Sequence, residues 1–274
     1  MDRPYVHGYD ARETERLHDQ AQTLKDLLHD GTAYPAGARV LEAGCGTGAQ
    51  TLTLAERSPL ARFTSVDISA ESLAQAQRHA SHAGIRNVAF IQADIFALPF
   101  ETASFDHVFV CFVLEHLARP AQALRTLRRL LKPGGTITVI EGDHGSAYFH
   151  PDSAAARRAI DAQVKLQAAA GGNALVGRQL YPLLVDAGFE APSVSPRMVY
   201  VDASRPAWVE GFTRNTFNAM IEGVRAAALS VGLTSADDFD AGVRDLHRTT
   251  EADGVFCYTF FKGVARAPAP GERS

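Results

Sequence analysis

The chain has 274 residues, is 46% hydrophobic and carries a formal net charge of −4. That composition can fill a large core, and it lacks the basic face a nucleic-acid footprint needs, so no nucleic-acid partner is expected. The longest apolar run, Val108 to Leu114, is too short to cross a bilayer, so no membrane insertion is expected either.

The opening residues, 1–20, are charged without an apolar stretch, which reads against a secretory leader. Cys45, Cys111 and Cys257 have no metal-ligand spacing and suit buried thiols in a reducing, cytoplasmic setting, with no metal expected. Residues 1–10 are polar and hold Tyr5, His7 and Tyr9. Ala11 to Asp30 then places Leu17, Ala21, Leu24, Leu27 and Leu28 at helical spacing, and Gly31 ends the run. Val40 to Ala43 reads as a buried strand, Gly44 to Gly48 as a turn, and Ala49 to Arg57 as a helix. Strand, glycine turn and helix make a nucleotide-binding corner, because glycine lets a ligand approach the backbone.

A second strand, Arg62 to Val66, ends at Asp67. Ser69 caps the next helix, which Gly84 stops. Asp67 stands near the spacing at which an acid meets ribose hydroxyls, and a carboxylate can accept from both hydroxyls of a diol. Asn87 to Gln92 is a third strand, followed by Ala93-Asp94-Ile95, where an acid can accept from an adenine amine. His107 to Phe112 is a nearly continuous apolar strand, as a central parallel strand should be. Glu115 and His116 follow it; the histidine reads as structural rather than as half of an acid–base pair.

Pro120 opens a helix with Leu124, Leu127, Leu130 and Leu131 on one face. Lys132-Pro133-Gly134-Gly135 breaks it before a fifth strand, Thr136 to Ile140. Glu141 to His150 reads as a polar, glycine-flanked loop. Helices are expected over Pro151 to Ala170 and Arg178 to Ala187, a strand over Phe189 to Val201, helices over 202–254 and a last strand over Val255 to Val264. The tail, 265–274, reads as disordered.

Gly44, Gly46 and Ala49 satisfy a dinucleotide pattern, but Glu42, two residues ahead of the turn, would repel a pyrophosphate. It suits a ligand with an ammonium and a sulfonium, S-adenosylmethionine. Glu42, Gly44, Gly46 and Gly48 make the acidic-x-G-x-G-x-G signature. Leu98-Pro99-Phe100, Glu115-His116-Leu117 and Leu131-Lys132-Pro133-Gly134-Gly135 add to it. With these marks the chain resembles the class I S-adenosylmethionine-dependent methyltransferases, in their ubiquinone/menaquinone-biosynthesis-type branch, over Gly37 to Ile140 and more loosely in strands six and seven.

The resemblance implies an α/β fold: a Rossmann-like, mostly parallel seven-stranded sheet in the order 3-2-1-4-5-7-6, strand seven antiparallel, with helices on both faces. It implies an N-terminal segment, 1–36, near the cofactor and a core of 37–201 and 255–264. The helical insertion, 202–254, departs from the family's close pairing of strands six and seven. Because strand six should end on the ligand face, the insertion is expected to cap the active site unless it is a peripheral extension that only adds core. The cofactor, S-adenosyl-L-methionine, is expected at Tyr9, Glu42, Gly44, Cys45, Gly46, Gly48, Asp67, Ile68, Asp94, Ile95, Cys111 and Phe112. The small-molecule methyl acceptor is expected beside His144 and Asp143, which orient or deprotonate it unless they only tie down their loop. Glu115, Tyr148, His150, Arg197 and Tyr200 are expected to shape its pocket.

The expected reaction moves a methyl group to N, O or C of a metabolite or natural-product intermediate. Ring C-methylation of a quinone-like precursor, and a cofactor-binding protein without turnover, are the alternatives. The sequence leaves the oligomeric state open.

Overall fold

The computed structural model describes residues 23–269. Its seven strands are β1 (Arg39–Ala43), β2 (Arg62–Asp67), β3 (Val88–Gln92), β4 (Phe105–Cys111), β5 (Leu131–His150), β6 (Glu190–Val201) and β7 (Val255–Arg266). They form one sheet in the order β3-β2-β1-β4-β5-β7-β6, with β7 antiparallel, as the resemblance implies. The described residues divide into two compact units: Asp26–Glu141 with Val176–Ser195 and 261–269, and 23–25 with Gly142–Leu175 and Pro196–Phe260. The division cuts through β5, β6 and β7.

In the first unit, β1 lies between β2 and β4, parallel to both. Their carboxyl ends, at Ala43, Asp67 and Cys111, therefore share one edge, the edge at which open parallel sheets hold ligands. A helix over 23–28, α1, precedes β1 in the chain, and the faces are covered by α2 (Ala49–Arg57), α3 (Ala70–His82), α4 (Pro120–Leu130) and α6 (Leu180–Asp186). On α4, Pro120 stands in the first turn, where its missing N–H costs nothing, and Ala123, Leu124, Leu127 and Leu130 are buried. They pack with Val108, Val110, Ile137 and Val139 of the sheet and with Leu180 and Leu184 of α6. A short 3₁₀ turn, Leu114–His116, follows β4, and another, Val176–Gln179, precedes α6.

The second unit holds the remaining parts of β5, β6 and β7, with α5 (Ala154–Ala169), α7 (Pro206–Trp208), a π-helical segment (Val209–Asn218), α8 (Ala219–Gly223), α9 (Arg225–Ser230) and α10 (Ala236–Arg248). Helices α5 and α10 cross closely at Gly242, where a Cβ would meet the Ala155 carbonyl. Phe149, Phe212, Phe217, Phe256, Tyr258 and Phe260 form a continuous aromatic cluster, with Phe217–Phe256 and Tyr258–Phe260 centroids each 4.7 Å apart. Such pairs add about 0.5 to 1.5 kcal/mol each beyond area burial.

One expectation is overturned here. Glu141 to His150 is not a loop: β5 runs unbroken through it. Gly142 has an ordinary strand conformation and is needed for space, because a Cβ there would collide with the Tyr258 hydroxyl. His144 packs on Phe217, and Phe149 on Phe256, so both face the aromatic cluster although five residues separate them. Strict alternation would put them on opposite faces, so one residue is inserted between them, as in a bulge. Ser146 marks the place: its Oγ accepts the Thr259 N–H at 2.9 Å, a bond a backbone carbonyl makes in a regular ladder. Strand β5 also begins at Leu131, through the expected Lys132–Gly135 break; Gly134 supplies the break's left-handed backbone, with φ +74.

Candidate active site

The corner after β1 is built on three left-handed residues, Gly44 (φ +75), Gly46 (φ +52) and Gly48 (φ +84), which a side chain would strain. At Gly44 a Cβ would collide with Val113; at Gly48 it would meet Ala76 of α3; at Gly46 it would meet open space. The corner is tied to β2 by Gly44 N–H and Cys45 N–H, which both donate to the Val66 carbonyl, at 2.8 and 3.0 Å.

Glu42 is buried behind the corner. Its Oε2 accepts from Thr51 on α2 at 2.7 Å and from Ser65, its register partner on β2, at 2.6 Å. Burial pushes its carboxyl up to about 7, against the pull of the Ser65 and Thr51 bonds and with a further push from Asp67. Asp67 ends β2 with Oδ2 accepting from Gly46 N–H at 2.8 Å and Oδ1 from Ser69 N–H at 2.9 Å. A carboxylate has about four lone-pair sites, so two remain for a ligand. Asp94 is exposed and holds its own loop, accepting from Phe96 N–H at 2.9 Å. Ile68 is exposed, Ile95 half-buried, and the Cys45 and Cys111 thiols are buried and pushed up by that burial. Phe112 carries φ +58 at the end of β4. Tyr9 lies outside the described residues.

Sequence reasoning passed over Glu141. It is fully buried, and its Oε1 accepts from Val113 N–H at 3.0 Å and Leu114 N–H at 2.8 Å, holding the turn whose Val113 packs on Gly44. Its Oε2 is buried without a partner. Burial first, and Glu115 second, hold this carboxyl well above the usual range. Glu115 is buried, with Oε1 3.5 Å from His116 Nε2.

Two residues along β5, in the second unit, Asp143 and His144 are both buried. Asp143 accepts from Gly145 N–H at 3.1 Å. His144 Nδ1 lies 2.7 Å from the Tyr258 hydroxyl, a partner sequence reasoning also missed. The available signal was the alternation Phe256, Tyr258, Phe260, which puts one hydroxyl among rings on a single strand face. Tyr148, His150 and Tyr200 are exposed and do not join the buried pair; Tyr148 is in contact with Met198, at 3.9 Å to its sulfur. The inserted residue accounts for this, since it turns Tyr148 away from the face His144 occupies. Arg197 is half-buried on β6. Among the described residues no cluster could hold a metal ion and no helix is long and apolar enough to cross a membrane.

Comparison with known proteins agrees with this geometry. The family model of the methyltransferase domain matches residues 35–188. The chain is 36% identical over 219 residues to an uncharacterized protein of a Streptomyces fradiae transposon, 77% of this chain and 61% of that one. It is 40% identical over 106 residues to the demethylmenaquinone methyltransferase of Thermus thermophilus, 39% of this chain and 48% of that one. It is 29% identical over 225 residues to the 27-O-demethylrifamycin SV methyltransferase of Amycolatopsis mediterranei, 81% and 76%. The chain thus spans about half the length of several curated relatives it matches. Among solved structures, the [4+2]-cyclase SpnF shares the fold, with a TM-score of 0.56 at 23% identity over 92% of this chain and 82% of that one. By its family match, its sheet order and its acid-preceded glycine corner, this chain belongs to the class I S-adenosylmethionine-dependent methyltransferases.

Proposed function

We propose that the chain binds S-adenosylmethionine at the β1 corner and methylates a small molecule. The observation that carries the reading is the Glu42–Gly46–Asp67 arrangement. Asp67 is fixed by two backbone N–H groups and keeps lone pairs for a ribose diol, Gly46 has open space where a Cβ would stand, and Glu42 supplies a buried acid for an ammonium. Asp94 and Ile95 would meet the adenine, and Ile68, Cys111 and Phe112 line the same sheet edge. The bound cofactor supplies an electrophilic methyl group on sulfur. The chain's own part is to position the acceptor and take its proton. His144 is the base, with Tyr258 fixing its ring through Nδ1, and Asp143 orients the acceptor. A histidine suits this work because it titrates near neutral pH.

Ring C-methylation of a quinone-like precursor is the second reading, supported by the relatives named for that chemistry and by the aromatic wall around His144. A thermal-shift comparison tests the cofactor. S-adenosylmethionine at about 100 times its Kd should stabilise the protein by roughly 2.7 kcal/mol, and NAD should not. Stabilisation by NAD alone would overturn the assignment.

A further inference from the structure

The π-helical segment contains an arrangement that folding does not explain. At its end Ala219 N–H reaches five residues back to the Arg214 carbonyl as well as to that of Thr216, and the Thr216 side-chain hydroxyl donates to the Gly211 carbonyl at 2.7 Å. Five-residue repeats put Thr213 and Asn218 one turn apart on the same side. Phe212 and Phe217, also one turn apart, pack on Tyr258, with centroids 5.7 and 5.6 Å away. Phe217 also meets the His144 ring edge-on at 6.5 Å. The segment is thus held beside the His144–Tyr258 pair by two rings. π-Turns are rare and gather at functional sites.

Asn218 is fully buried, and neither its Nδ2 nor its Oδ1 has a hydrogen-bond partner; Thr213 is 1% exposed, and its Oγ1 has none either. A buried polar group left without a partner has lost its water and gained nothing in return. Three such atoms on one turn are expensive for a purely structural element, and they are what a ligand would satisfy. Among the described residues, the buried polar residues of this unit are amides, hydroxyls, Asp143 and His144, and Arg197, half-buried on β6, adds a buried Nε.

Resting on the reading of His144 as the acceptor's base, we propose that Asn218 and Thr213 bind the methyl acceptor, and that the acceptor is a neutral molecule with a hydroxyl beside a carbonyl. A carboxamide both donates and accepts, so Asn218 can donate Nδ2–H to the carbonyl and accept a hydrogen bond from the hydroxyl on Oδ1, while Thr213 adds one more bond. Asp143 is buried next to His144 in the chain, so an anionic acceptor such as a carboxylate or phosphate would be desolvated beside another acid.

The test uses the full chain with two probes of one shape, methyl salicylate and salicylate, with binding measured by calorimetry alongside the melting temperature. The neutral ester should bind at least tenfold more tightly than the anion. Asn218→Leu and Thr213→Val should each weaken the ester about tenfold or more while binding S-adenosylhomocysteine normally. Without ligand, Asn218→Leu should melt at or above the wild-type temperature, because it removes an unpaired amide. His144→Gln should retain ester binding, so failure of the base assignment is seen separately as unchanged turnover. Equal binding of the two probes, no binding of the ester, or a fall of several degrees in Asn218→Leu with normal ester binding by Thr213→Val would each overturn the proposal.

Discussion

Replacing Glu42 with Gln tests the cofactor corner through pH. Glu42 is 2% exposed, and its carboxyl is raised from 4.5 to about 7, chiefly by burial. A raised acid holds its proton in the folded state at pH values where the unfolded chain has released it. Stability from this group is therefore complete below about pH 4.5 and declines as pH rises toward 7. A difference of about 2.5 units corresponds to roughly 3 kcal/mol lost by pH 8. Glutamine keeps an oxygen for Thr51 and Ser65 and cannot ionise. The variant should match the wild type at pH 4.5 and exceed it by up to about 3 kcal/mol at pH 8 in urea denaturation. His29, buried and lowered to about 4 by that burial, contributes the opposite slope between pH 6.5 and 4, but it is common to both proteins and cancels in the difference. Function should move the other way. If ionised Glu42 meets the ligand's ammonium, wild-type affinity for S-adenosylhomocysteine should fall about tenfold per pH unit below 7. The variant should bind weakly at every pH. A constant stability difference from pH 4.5 to 8, or an affinity indifferent to both pH and the substitution, would refute the reasoning.

Two further substitutions separate binding from chemistry. His144→Gln should lose about 10²-fold or more in kcat with cofactor binding intact, the usual scale for a general base; near-normal turnover from pH 6 to 9 would remove His144 from the mechanism. Asp67→Ala should raise the cofactor KM with kcat nearly preserved, and should destabilise the protein by about 1 to 3 kcal/mol through the lost Gly46 and Ser69 bonds; a stability loss with unchanged KM would leave Asp67 a purely structural residue.

The first unit was legible because its residues report on their backbone directly. Three glycines within five residues mark three left-handed positions, and the apolar run His107 to Phe112 marks a strand covered on both faces. The continuation of β5 was not legible. Gly142 and Gly145 look like turn residues, yet Gly142 is there to make room for Tyr258, a contact 116 positions away in sequence. With the loop reading gone, Tyr148 and His150 lost their place beside His144. The π-helical segment left a trace in the five-residue gap between Phe212 and Phe217, which a 3.6-residue period does not produce. Glu141 was hidden for a different reason. It ends an apolar strand as Glu42 does, but its partners are backbone N–H groups of a turn 27 and 28 residues earlier, which no side-chain pattern reveals.

The central claim is transfer of a methyl group from the cofactor to a small molecule. The direct measurement is to incubate the protein with S-adenosylmethionine labelled in its methyl group and an extract of small metabolites, and to identify the labelled products by mass spectrometry. The account predicts label in a discrete small molecule with wild-type protein, and a loss of about 10²-fold or more in its rate of formation with His144→Gln. Tight binding of the cofactor with no labelled product from any extract would contradict it, and would leave a protein that holds S-adenosylmethionine without turning it over.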